Sequence, residues 1–75
     1  MLGESDWMSG IIIIREMVGT SPRSWSDAAR QAVATASRTV RNIKTVDVVK
    51  SSAVVENGEI VEYRVELKIG FEYEG

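Results

Sequence analysis

Residues 62–74 read Glu-Tyr-Arg-Val-Glu-Leu-Lys-Ile-Gly-Phe-Glu-Tyr-Glu, and this stretch decides the fold. The odd positions are Tyr63, Val65, Leu67, Ile69, Phe71 and Tyr73; the even ones are Glu, Arg, Lys or Gly70. Side chains on a strand alternate between faces, so this is a long strand with one apolar face. In a chain of 75 residues such a strand exposes more sheet than the rest can cover. Uncovered sheet edges seek partners, so the protein is expected to complete itself by assembling.

Immediately before it, Glu56-Asn57-Gly58-Glu59 reads as a tight hairpin, because Asn-Gly tolerates the positive φ angles of a type I′ turn. The partner strand is expected over Lys44–Val55 and the last strand over Glu59–Glu74. Pairing Glu56 with Glu59 sets Val46 opposite Ile69, Val48 opposite Leu67 and Val54 opposite Val61. Thr45, Asp47, Val49 and Ser51 then share the other face with Gly70, Lys68, Glu66 and Arg64. Asp47 opposite Lys68 is a favourable cross-strand pair. Lys50 and Ser52 fall on the apolar side, which points to a bulge or a ligand-facing patch around Val49–Ser52.

Upstream, Ser24–Asn42 has helical spacing, with Trp25, Ala28, Ala29, Ala32, Val33, Ala36, Val40 and Ile43 on one stripe. Two starts fit: Ser21 as cap with Pro22 at the first helical position, or Ser24 as cap with Asp27 three residues on. Arg38 and Arg41 would lie in the last turns, where cations suit the helix dipole. The alanines allow close approach to a sheet, and Trp25 is the bulky anchor expected in the core. Ile11–Val18 reads as the first strand, since β-branched residues suit a pleated strand, and its continuous apolar run predicts burial on both faces. Residues 1–10 have no periodicity and read as a mobile tail, with Trp7 packed loosely in it.

The order is β–α–β–β. The fold class is α+β: a three-stranded antiparallel sheet curled around one helix, in a single domain over residues 11–75. A core this small supplies about 3–5 kcal/mol, and small domains compensate with disulfides, metals or oligomerisation. The chain has no Cys and no His. Disulfides, thiolate sites, His-based catalysis and the usual zinc sites are therefore excluded. The net charge of −2 is mixed along the chain, which argues against a nucleic-acid partner. The longest apolar run, Ile11–Ile14, is too short to span a membrane, and no signal peptide is apparent. A soluble cytoplasmic protein is expected, and no enzyme. Abundant Glu on the strands reads either as a solvated or interface face or as a hard-cation site shared between subunits.

Several segments together resemble the dodecin family. They are Gly19-Thr20-Ser21-Pro22, Ser24-Trp25-Ser26-Asp27-Ala28-Ala29, Thr39-Val40-Arg41-Asn42-Ile43, the Glu56-Asn57-Gly58 turn, and Tyr63 through Phe71. Their order and spacing, rather than any one of them, carry the resemblance, which spans Ile11 to Gly75. It implies β–α–β–β subunits assembled as a hollow homododecamer. Many dodecins bind flavin between subunits, with a Trp after the helix stacking on the ring and a Gln on the last strand bonding its edge. Here Thr45 stands at the Trp position and Arg64 at the Gln position, a pattern similar to the calcium dodecins.

The resemblance thus implies a non-enzymatic shell that binds or stores a small ligand or ion. Calcium is the expected ion, with Asp47, Glu62 and Glu66 as candidate ligands. Lys44, Thr45, Val46, Lys50 and Arg64 are the candidate ligand-binding residues. Flavin storage (riboflavin, FMN or FAD) is the alternative, weakened by Thr45. A third reading is an anion or nucleotide-cofactor site using Lys44, Lys50 and Arg64 at a subunit junction. The remaining reading is a shell whose polar faces only hold subunits together.

Overall fold

The structure, a computed structural model, describes residues 10–73. It contains β1 (Ile12–Ser21), α1 (Trp25–Ala36), β2 (Ile43–Glu56) and β3 (Glu59–Glu72). The sheet order is β1-β3-β2, with both outer strands antiparallel to β3. The strand whose alternation is strongest therefore lies at the centre. The expected tail lies outside the described residues, apart from Gly10, and Trp7 lies there with it.

The turn forms as its sequence requires: Asn57 and Gly58 both have positive φ, 53° and 78°. Glu56 pairs with Glu59, and at the far end Val46 faces Ile69 and Val48 faces Leu67. Between these ends the register slips by one. Val49 is an extra residue on β2 and Val61 an extra residue on β3, so the slips cancel. Within the slipped section Ser51 faces Val65, and Val54 faces Glu62 rather than Val61. The bulge explains the poor pattern seen in the sequence. A one-residue slip exchanges faces, so Lys50 and Ser52 leave the apolar side and stand opposite Glu66 and Arg64.

The helix packs against β1 and β3. Ser24 is its cap, with the Ser24 hydroxyl accepting from the Asp27 N–H at 3.0 Å. Ser21 instead is buried and donates to the Asp27 carboxylate at 2.6 Å. Gly19 permits a close approach: a Cβ there would lie 2.9 Å from Ala32 Cβ and closer still to the Ala28 carbonyl oxygen. The core beneath is Ala28, Ala32, Val65 and Leu67, with Met17 and Ala29 at its margin.

Three expectations need correction. The helix ends at Ala36, not Asn42. Ser37 Oγ donates back to the Val33 carbonyl at 2.8 Å, and the Arg38 and Thr39 N–H groups bond three residues back, to Thr35 and Ala36. The last turn tightens, β-branched Thr39 and Val40 do not extend it, and Asn42 at φ 62° swings the chain into β2. Arg38 and Arg41 thus lie beyond the helix. Trp25 is 40% exposed rather than a core anchor. Its ring meets Tyr63 edge-on at 4.9 Å, and its indole N–H donates to the Ser52 carbonyl at 2.8 Å. Finally, the isoleucine run is not buried on both faces of the subunit: Ile12 and Ile14 are 46% and 53% exposed.

Candidate functional site

The register divides the sheet into two faces, since directly opposed residues share a face. The helix side carries Val65, Leu67 and Ile69, each about 1% exposed. The open side carries Thr20 and Glu16 from β1, Arg64, Glu66, Lys68 and Gly70 from β3, and Thr45, Asp47, Lys50 and Ser52 from β2. Because β3 is flanked on both sides, its even residues form the middle of a charged ladder.

On this open face two of the expected metal-ligating carboxylates have a lysine as cross-strand neighbour and the third has an ion pair, while Lys68 Nζ itself lies 4.0 Å from Glu16. Asp47 stands opposite Lys68, and Glu66 opposite Lys50. Glu62 accepts from Arg64 Nε at 2.9 Å, an exposed pair that adds little to stability. Among the described residues no group of three or more carboxylates converges as a cation site. The described carboxylates of one subunit therefore do not by themselves form the shell of about six to eight oxygens that calcium takes.

Thr45 and Arg64 do share the open face, through Thr45 opposite Gly70 and Arg64 opposite Ser52. They do not line one pocket within a subunit. Gly70 and Arg64 are six positions apart on β3, about 20 Å at ~3.3 Å per residue. Lys44 is the extra residue where the pairing shifts between Ile43 and Thr45. Val46 lies on the other face, in an apolar hollow of about 350 Å³ with Ala29, Arg30, Val33 and Ala34. The candidate ligand residues thus form no single cavity in one subunit.

The space above Gly70 is occupied. A Cβ on Gly70 would lie 2.5 Å from Thr45 Oγ1, 3.2 Å from Ile14 Cδ1 and 3.3 Å from Ile12 Cγ2. The glycine makes room for these side chains, and Thr45 closes over the sheet there.

At the helix start, Asp27 accepts from Ser21 Oγ and from Gln31 Nε2 at 3.2 Å, with Arg23 Nε 3.4 Å away. The Ser21 hydroxyl, then the Gln31 amide, and then the Arg23 charge hold its carboxyl below the usual value. This network orders the turn between β1 and α1 and takes no part in the open face.

The sequence reading passed over a third region. Arg15 stands opposite Ile69 on the helix side, with its guanidinium carbon 5.8 Å from the Phe71 ring centroid. It lines a hollow with Thr39, Arg41, Phe71 and Tyr73. The signal was present in the sequence: Arg15 is a charge in phase with the inward positions Ile13 and Met17.

Comparison with known proteins places this geometry. The dodecin family profile matches residues 11–74. Calcium dodecin of Mycobacterium tuberculosis (strain ATCC 25618 / H37Rv) is 34% identical over 56 residues, covering 75% of this chain and 79% of that protein. The structure of dodecin from Streptomyces coelicolor superposes with a TM-score of 0.84 at 35% identity, covering 87% of this chain and 93% of that one. A crystal structure of the calcium-chelating calcium dodecin from Mycobacterium tuberculosis gives a TM-score of 0.75 at 32% identity, covering 85% and 91% of the two chains. The β–α–β–β order, the central alternating strand and the match along almost the whole described chain agree, and the chain belongs to the dodecin family.

Proposed function

We propose that the chain is the non-enzymatic subunit of a homododecameric shell that holds calcium, or another small ligand, at subunit junctions. The observation that carries this reading is Thr45 folded over Gly70, with Ile12 and Ile14 beside it. A flavin held by stacking needs a broad π face. An aromatic pair adds about 0.5–1.5 kcal/mol beyond the area it buries, and a threonine supplies neither the area nor the face. The similarity to a calcium dodecin supports calcium as the ligand. Asp47, Glu62 and Glu66 lie on the open face, so a neighbouring subunit's oxygens would complete their coordination.

The assembly part of the reading rests on exposed apolar side chains. Val48 and Val55 are 57% and 60% exposed, and an apolar hollow opens at Val46 on the same strand. Apolar surface of this kind marks a protein–protein contact.

Two titrations test the ligand. Melting temperature should rise with free calcium, because a ligand that binds only the folded state stabilises it by RT ln(1 + [L]/Kd). Asp47→Asn, Glu62→Gln and Glu66→Gln should each weaken that rise. Riboflavin fluorescence should stay unquenched at low micromolar protein, and Thr45→Trp with Arg64→Gln should restore some quenching. Tight stoichiometric quenching by the unmodified protein would promote flavin storage instead. Absence of both effects would leave a shell whose charged face only joins subunits.

A further inference from the structure

Beneath the segment that follows the helix lies a hollow of about 520 Å³, on the sheet side opposite Thr45 and Arg64. It exists because α1 stops at Ala36 while β3 runs on to Glu72, so that among the described residues the end of the sheet is roofed by residues 39–41. Its floor is apolar: Ile13, half-buried, stands opposite half-buried Phe71, and Val40 closes the far wall. A volume of this order lies in the range of small-molecule sites, about 300–1,000 Å³.

Two arginines reach this apolar space. Among the described residues of β1 and β3, Arg15 is the one charged side chain on the helix-facing side. Its guanidinium lies over the Phe71 ring and, among the described residues, meets no carboxylate within ion-pair distance. Arg41, on the roof, has no ion pair either among the described residues. The Thr39 hydroxyl offers a third donor on the same side. Glu72 is the one carboxylate in the lining, so an anion seats toward Arg15 and Arg41. A guanidinium already stacked on an aromatic ring keeps its edge N–H donors free for a carboxylate or phosphate.

We propose that this hollow binds a planar organic anion, a carboxylate or phosphate ester of an aromatic ring. The anionic group bonds to Arg15 and Arg41, and the ring lies against Ile13, Phe71 and Tyr73. The site is separate from the open-face junction proposed for calcium and shares no residue with it.

The test uses calorimetric titration of the whole protein with 2-naphthoate, 2-naphthol and acetate. Naphthoate supplies both ring and charge, naphthol the ring alone, and acetate the charge alone. Naphthoate is expected to bind at least tenfold tighter than either of the others. Arg15→Met keeps an apolar cover on Phe71, and Arg41→Gln changes only an exposed side chain. Each is expected to weaken naphthoate at least fivefold and to leave naphthol unchanged. The proposal is overturned if naphthoate fails to bind, if it binds no tighter than naphthol, or if its affinity survives both substitutions. Should Arg15→Met fold poorly, Arg41→Gln alone decides, since nothing in the fold depends on its charge.

Discussion

Replacing Gly19 by alanine should destabilise the protein more than any other single-methyl addition on β1. Gly19 stands opposite Val65 on the helix side, under the first turns of α1. The added Cβ would lie 2.9 Å from Ala32 Cβ and closer to the Ala28 carbonyl oxygen, so backbone on both elements must separate. Overpacking of this kind costs about 1–3 kcal/mol. Ala also lowers the entropy of the unfolded chain, which returns about 0.4–1 kcal/mol. The net loss is about 1–2 kcal/mol. For a domain of this size each kcal/mol moves the melting temperature by about 4–8 °C, so the variant should melt about 5–15 °C below wild type. Melting is followed by circular dichroism at one fixed subunit concentration, because assembly makes the midpoint concentration-dependent. Gly70→Ala serves as the control. Its Cβ would meet only side-chain atoms, Thr45 Oγ1, Ile14 Cδ1 and Ile12 Cγ2, and no backbone. Its loss should be smaller and should shrink further in combination with Thr45→Ala. A Gly19→Ala protein melting within ~2 °C of wild type would refute the close approach of helix and strand that fixes the whole subunit.

Two further outcomes follow from the first turn of the helix. Asp27 has its carboxyl held below the usual value, so the stability it adds is complete above its unfolded value and is lost as pH falls through the folded one. The melting difference between wild type and Asp27→Asn should therefore be largest near pH 7 and shrink below pH ~4; a difference that does not change with pH would sink this assignment. Trp25→Phe keeps a ring beside Tyr63 but removes the 2.8 Å bond to the Ser52 carbonyl, and should cost about 0.5–1.5 kcal/mol. An unchanged denaturant midpoint would show that the indole N–H anchors nothing.

The sequence revealed most where one local rule acts alone. Period-two alternation located β3, and Asn57-Gly58 set the turn, so the pairs at both ends of the hairpin were legible. The pairs between them were not. Two bulges of one residue each cancel by the time the strands reach Val48 and Leu67, and no local pattern marks Val61 as the second. The apolar stripe of α1 ran on through Val40, half-buried in the segment after the helix, and Ile43, which already belongs to β2 and pairs with Phe71. Ser37 bonding back to Val33 and Asn42 at positive φ end the helix, and both are choices of conformation rather than of hydropathy. Trp25 read as core because a stripe position does not say how far a ring protrudes. For the open face, alternation placed Thr45 and Arg64 on one side correctly. Their separation along β3 was implicit in the register that sets Thr45 opposite Gly70, which the structure keeps, and it is why neither suffices for a site within one subunit.

That separation makes assembly the central claim, and the mass of the native particle tests it most directly. Native mass spectrometry of the purified protein should give twelve copies of the 8.3 kDa chain, about 100 kDa. A folded species at 8.3 kDa, at micromolar concentration, would contradict the account.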